Sequence, residues 1–201
     1  HFRIESLAAE TIDEDFIKGL TRNRSIKTLH IGADLGSASF RQMGDCFNNN
    51  NLRELSFGNM ETIGVESARS IAFMLSQCEQ SNLRILYFEE SNASDEVLAE
   101  IAVAISTHSN LGLLNLGCNN LAKQGSVALG EALQACNSPQ LQYLILWNNS
   151  IDDEGIRALV AGMRNCHNLS RLDLSCNESI TVDGFRSLST LFQSEHCNLK
   201  H

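Results

Sequence analysis

Three kinds of residue in this chain have the types and spacing to do chemistry. Acidic triplets stand at Asp13, Glu14 and Asp15 and again at Asp152, Asp153 and Glu154, and adjacent carboxylates are the raw material of general acid and base catalysis. Seven cysteines, at 46, 78, 118, 136, 166, 176 and 197, together with six histidines, supply nucleophiles and metal ligands. The two tyrosines and the single tryptophan, Tyr87, Tyr143 and Trp147, supply large amphipathic surfaces of the kind that anchor binding partners. What each can do depends on the elements that hold it.

Leucine supplies 27 of 201 residues while all aromatic residues together make up 6%. A single aliphatic type therefore fills the interior, as in a repeating architecture. The segments IKTLHI from Ile26, LRELSF from Leu52, LRILYF from Leu83, LGLLNL from Leu111, LQYLIL from Leu141 and LSRLDL from Leu169 each place apolar residues at positions 1, 4 and 6, and Leu199 falls where another would start. The later units add asparagine at position 9 (Asn119, Asn149, Asn177), then an aliphatic residue (Leu121, Ile151, Ile180), then glycine (Gly125, Gly155, Gly184). A helical pattern follows. Its apolar residues recur one turn apart, as Ile71 with Leu75, Ile101 with Ile105, Leu129 with Leu133, Leu159 with Met163 and Leu188 with Phe192.

Each unit thus reads as a short strand, a turn and a helix. Neither a strand with three inward residues nor a helix with one apolar stripe can bury itself alone, but stacked copies can. The strands then form one parallel ladder with the helices opposite. Asparagine at position 9 can satisfy loop backbone groups that would otherwise be buried unpaired. In the earlier units that position is Asp34, Met60 and Ser91, so the N-terminal half is expected to be less regular.

In these residues the chain resembles the leucine-rich repeat family, and the unit length with a full helix is similar to its ribonuclease-inhibitor-like class. The resemblance covers residues 26–201. Before that, Phe2 to Leu7 fits a preceding strand in either of two registers and TIDEDFIKGL fits its turn and helix. The resemblance implies an α/β fold, a right-handed horseshoe solenoid with parallel strands on the concave face and helices on the convex face. It also implies protein recognition, as in inhibitors, immune-type receptors, GTPase activators and bacterial effectors. Residues 1–201 read as one such domain, with about six full repeats plus partial repeats at both ends. Neither end shows the polar capping unit a solenoid needs, which marks the chain as a piece of something longer.

On this ladder, positions 2, 3, 5, 7 and 8 of each strand line the concave surface. Tyr87, Tyr143 and Trp147 all fall there, with Ile85, Leu113 and Ile145 between them. Exposed apolar clusters mark interaction surfaces, although aromatic and β-branched residues also suit strands as such. Lys27, Arg53 and Arg84 form a basic column at position 2, and Glu89 and Glu90 stand beside Tyr87. The expected partner is another protein, with both charges and an apolar centre.

The other candidates have plainer readings. The acidic triplets, like Asp95 and Glu96, fall just before or at helix starts, where carboxylates offset the helix dipole and cap free amides. Cysteine shows no C-x-x-C spacing. Cys118 and Cys176 lie two strands apart, about 10 Å, which is too far for a disulfide; Cys136 and Cys166 occupy equivalent places in adjacent repeats and could approach. The odd count favours a reducing compartment, hence the cytoplasm. His108, Cys166 with His167, and His196 with Cys197 share one edge, but a tetrahedral site rarely draws one ligand from each stacked repeat, so no metal is expected. No G-x-S-x-G or G-x-x-x-x-G-K motif occurs, so neither an enzyme nor a cofactor is expected.

A GTPase activator of the same class is the main alternative, and that resemblance implies an arginine or polar group on a strand-to-helix loop that stabilises charge in phosphoryl transfer. Loops 32–39, 58–66, 89–96, 117–125, 147–154 and 175–183 contain no arginine, and Lys123 is their only basic residue. An immune-receptor or effector region is a further alternative whose activity would need domains outside this piece. A net charge of −9 argues against a nucleic-acid partner, and no apolar run is long enough for a membrane span or signal peptide.

Overall fold

A computed structural model describes residues 2–4, 14–32, 34–48, 51–58, 63–76, 82–107, 110–135, 140–193 and 198–199. Strand and helix alternate throughout: β1 (Phe2–Ile4), α1 (Glu14–Arg22), β2 (Thr28–Ile31), α2 (Gly36–Asn48), β3 (Glu54–Phe57), α3 (Val65–Ser76), β4 (Ile85–Tyr87), α4 (Asp95–Ile105), β5 (Leu113–Asn115), α5 (Lys123–Ala135), β6 (Tyr143–Ile145), α6 (Asp153–Met163), β7 (Arg171–Asp173) and α7 (Val182–Phe192). The seven strands form one parallel sheet in chain order. The architecture is an α/β leucine-rich-repeat solenoid. Strands stack about 4.8 Å apart while packed helices need 8–10 Å, so the strand side is the inner face.

The register follows the repeat. Leu86, Leu114, Leu144 and Leu172 stand side by side at position 4, and the first three are fully enclosed. Positions 1 and 6 are buried with them in Leu83, Leu111, Leu141 and Leu169 and in Phe57, Phe88, Leu116 and Leu146. Of the two registers open to the first strand, Phe2 lies opposite Leu29 and Ile4 opposite Ile31. The helices turn the expected faces inward, with one exception. Phe192 is 57% exposed, and Leu191 takes the inner place at the end of α7.

Asparagine at position 9 does what its place suggested. Asn119 accepts from the N–H groups of Ser91 (3.2 Å) and Ala93 (3.0 Å) one repeat back, and its amide donates to the carbonyls of Phe88, Leu116 and Gly117. Asn149 and Asn177 repeat this toward Leu121 and Ile151. Ser91 keeps only the donating half, bonding Phe57 O at 3.3 Å and Glu89 O at 3.0 Å. Asp34 instead accepts from Gly36 N within its own turn, so the less regular N-terminal half is real at these two positions. Met60 lies outside the described residues.

The residue before the ladder reaches inward through backbone conformation. Glu90, Cys118, Asn148 and Cys176, all at position 8, have φ of 53°, 56°, 51° and 57°. This left-handed kink ends the strand and swings position 9 into the core, at a cost that only asparagine largely avoids among these four.

The acidic helix starts reveal a second device between repeats. Asp152 caps its own helix, accepting from Gly155 N at 2.8 Å. Asp95 and Asp153 instead reach the helix of the following repeat. Asp95 accepts from Ala122, Gln124 and Gly125 N–H groups at 2.7–2.8 Å, and so caps α5, whose own flanking residue Ala122 has no capping oxygen. Asp153 does the same for α7 through Thr181 N, Thr181 Oγ1 and Gly184 N. Asp13 lies outside the described residues, and Asp15 pairs with Lys18 at 3.5 Å.

Candidate functional site

The strand face presents its side chains in rows because each strand starts at a fixed height. The carbonyl of the position 2 residue accepts from two successive N–H groups of the next repeat: Lys27 O from Arg53 and Glu54, Arg53 O from Arg84 and Ile85, Arg84 O from Gly112 and Leu113, and Gly112 O from Gln142 and Tyr143. Outward residues of like position therefore stand one strand spacing apart.

The position 3 row brings Ile85, Leu113 and Tyr143 together across β4, β5 and β6. It is bounded by Glu54 on β3 and Arg171 on β7. Tyr143 is 39% exposed and the two aliphatic residues are half-buried. The position 5 row holds Tyr87, Asn115 and Ile145, and Asp173 follows Ile145 on β7.

Trp147 closes the next row in a way the sequence reading did not foresee. A Cβ placed on Gly117 would lie 2.3 Å from Trp147 Nε1 and 2.4 Å from Cδ1. The indole is thus laid back across the neighbouring strand, onto a residue that must have no side chain. Trp147 is half-buried and Gly117 is buried beneath it, so the aromatic plate is seated on the inner face rather than enclosed in the core.

One expectation needs correction. Position 5 is not open in every repeat. Asn115 is 7% exposed, because its Oδ1 accepts from Gly117 N at 2.9 Å and its Nδ2 donates to Glu89 Oε2 at 2.5 Å. Tyr87 also carries an electrostatic signature of its neighbours. The Tyr87 phenol is pushed above its ordinary range chiefly by partial burial, then by the negative charges of Glu54 and Glu89. Glu90 is exposed and takes a left-handed φ of 53°.

Lys27, Arg53 and Arg84 are all exposed on the rim where β2, β3 and β4 begin. Lys123, counted above as a loop cation, is the first residue of α5 and is paired with Glu154. Cys118, Cys166 and Cys176 are free thiols; Cys136, with His108, His196 and Cys197, lies outside the described residues. Among the described residues no three His, Cys, Asp or Glu side chains stand close enough to hold a metal. Among them too, no helix is long and apolar enough to cross a membrane.

Comparison with known proteins bears on the repeat itself. A family model described as Leucine Rich repeat matches residues 137–160 and 165–189. The mouse protein "NACHT, LRR and PYD domains-containing protein 14" is 27% identical over 69% of the chain and 14% of its own length. "NACHT, LRR and PYD domains-containing protein 12", also from mouse, is 36% identical over 57% of the chain and 11% of its own length. The chain thus spans a small part of the curated relatives it matches. An internalin from Listeria monocytogenes matches 94% of this chain and 76% of that one at 15% identity, with a TM-score of 0.23, a value too low to superpose the two folds.

Proposed function

We propose that this chain, a member of the leucine-rich repeat family, is a non-catalytic module that binds another protein through its strand face. The observation that carries the reading is the contiguity of the apolar surface: Ile85, Leu113 and Tyr143 in one row, Tyr87 and Ile145 in the next, and the Trp147 plate beyond. Contiguous exposed apolar residues of this kind mark interaction surfaces. Trp147 and Tyr87 add the stiff, large contact area typical of interface anchors.

The relatives support the same reading. Their names join leucine-rich repeats to NACHT and PYD domains, so we read this module as a recognition region within a larger cytoplasmic protein, and its unit as ribonuclease-inhibitor-like. Chemistry in the GTPase-activator sense has little to draw on here. The described strand-to-helix turns carry no arginine, and Lys123 is already paired with Glu154.

The test uses the single tryptophan as its own reporter. Proteins retained by the immobilised wild-type chain are compared with those retained by Trp147→Ala and Tyr87→Ala, each first shown by circular dichroism to keep the solenoid. Ligands that shift Trp147 emission and are lost by both variants support the strand face. A partner held equally by wild type and both variants places recognition elsewhere.

A further inference from the structure

The strand face also carries charge, and its arrangement specifies the partner more closely. Lys27, Arg53 and Arg84 precede the register-matched residues Thr28, Glu54 and Ile85, so they stand in one row about 4.8 Å apart per strand. Their backbone cannot slip, because the carbonyls of all three are each held by two N–H groups of the following repeat at 2.7–3.1 Å.

Four other described cations are held in ion pairs, whereas Arg22, Arg41, Arg157, Arg164 and Arg171, like this row, are not; what sets the row apart is three such cations on successive strands. Lys18 pairs with Asp15, Arg69 with Glu66 and Glu100, Lys123 with Glu154, and Arg186 with Asp183. Among the described residues no carboxylate forms an ion pair with Lys27, Arg53 or Arg84. The chain has 24 acidic residues for 15 basic ones, so partners were plentiful. Like charges on adjacent strands repel and weaken the sheet. The row continues into uncharged Gly112, Gln142 and Ser170, and the apolar row of Ile85, Leu113 and Tyr143 begins one residue after Arg84.

The geometry points to a polypeptide segment that lays apolar side chains on the Ile85–Leu113–Tyr143 row and carboxylates on the Lys27–Arg53–Arg84 rim. This rests on the strand-face reading above and adds the partner's chemistry to it. A polyanion such as nucleic acid suits the surface poorly. Glu54, Glu89 and Glu90 share the face, and the net charge of −9 repels a uniformly negative chain at long range.

A random-peptide library displayed on phage is selected against the wild-type chain, and the recovered peptides are synthesised and titrated while Trp147 emission is followed. Recovered sequences should place Asp or Glu beside apolar residues. Their affinity should fall with salt and by about tenfold or more in Lys27→Glu/Arg53→Glu/Arg84→Glu, whose three sites are exposed and unpaired. Peptides that shift Trp147 emission yet lack acidic residues, or that bind the triple variant as well as wild type, overturn the charge assignment and leave the strand face standing. Peptides that leave Trp147 silent and bind Trp147→Ala undiminished overturn the strand-face reading itself. A library that yields no peptide sensitive to the reversal, or displacement of the peptides by heparin or a single-stranded oligonucleotide at equal charge, also overturns the proposal.

Discussion

Asn119→Ala should destabilise the solenoid more than the same change at Asn149, though the two residues occupy the same place in adjacent repeats. The difference lies in which backbone groups have a second partner. When Asn149 is truncated, Leu146 O keeps Asn177, Leu116 O keeps Asn119, and Trp147 O keeps the N–H of Cys118. Only the N–H of Leu121 is orphaned. When Asn119 is truncated, the N–H groups of Ser91 and Ala93 and the carbonyl of Phe88 all lose their partner, and all three residues are fully buried. Ser91 cannot replace the lost amide, because its hydroxyl already serves Phe57 and Glu89. An orphaned buried group costs about 1–3 kcal/mol, so the lower bounds are about 3 kcal/mol for Asn119→Ala and about 1 for Asn149→Ala. Urea unfolding followed by circular dichroism reads the total, and amide hydrogen exchange at Ser91 and Ala93 localises it. Equal losses, or a larger one at Asn149, would refute the counting of partners.

Gly162→Ala should lower the melting temperature although alanine is the better helix former. Its Cβ would lie 2.2 Å from the carbonyl oxygen of Gly130, on rigid backbone, and overpacking of about 1–3 kcal/mol outweighs a propensity gain of about 1; a raised melting temperature contradicts the packing. Ser126→Ala should stabilise by about 1 kcal/mol, since the Ser126 hydroxyl is buried without a partner among the described residues, and thermal unfolding that shows a loss would mean the hydroxyl is satisfied. The Asp153 carboxyl is held below the usual carboxylate range by the Thr181 hydroxyl first, then by the N–H groups of Thr181 and Gly184 and by Arg157. Its contribution is therefore present above the unfolded carboxyl pKa and is lost as pH falls through the lower folded value; Asp153→Asn should flatten the acid side of the melting-temperature profile, and an unchanged profile refutes the link. In a Tyr143→Phe background, phenolate absorbance should place Tyr87 above the ordinary tyrosine range, and Glu89→Gln should bring it partway back.

What the sequence discloses here is whatever one repeat decides by itself. Position 4 leucines, the helix stripe and the asparagine at position 9 each recur at a fixed offset, and apart from Phe192 the structure puts them where the offsets imply. What escapes the sequence is decided between repeats. Asp95 and Asp153 look like caps of their own helices, and only the stacking distance aims them at the next one. The signal was present at Ala122, a helix-flanking residue with no capping oxygen, which requires an acceptor from elsewhere. Likewise Gly117 looks like an unremarkable glycine in a column with Gly32 and Gly58 until Trp147 is laid on it.

The same distinction explains why the binding surface takes its form at β4 to β6. A side chain on this sheet has neighbours only from the strands beside it, so its exposure depends on what stands at the same height one repeat away. Small neighbours allow a large side chain to lie down, as Trp147 does on Gly117. Hydrogen-bonding neighbours pull a polar one out of solvent, as Glu89 does with Asn115. Where β-branched, leucine and tyrosine side chains of similar height adjoin, as at Ile85, Leu113 and Tyr143, none can fold under another and the row stays partly bare. The bare row is therefore a property of the order of the repeats. Exchanging the whole units that start at Leu141 and Leu169 would keep leucine at positions 1, 4 and 6 of both places and still put Arg171 between Leu113 and Tyr143, which breaks the contact that joins the aliphatic residues to the aromatic one.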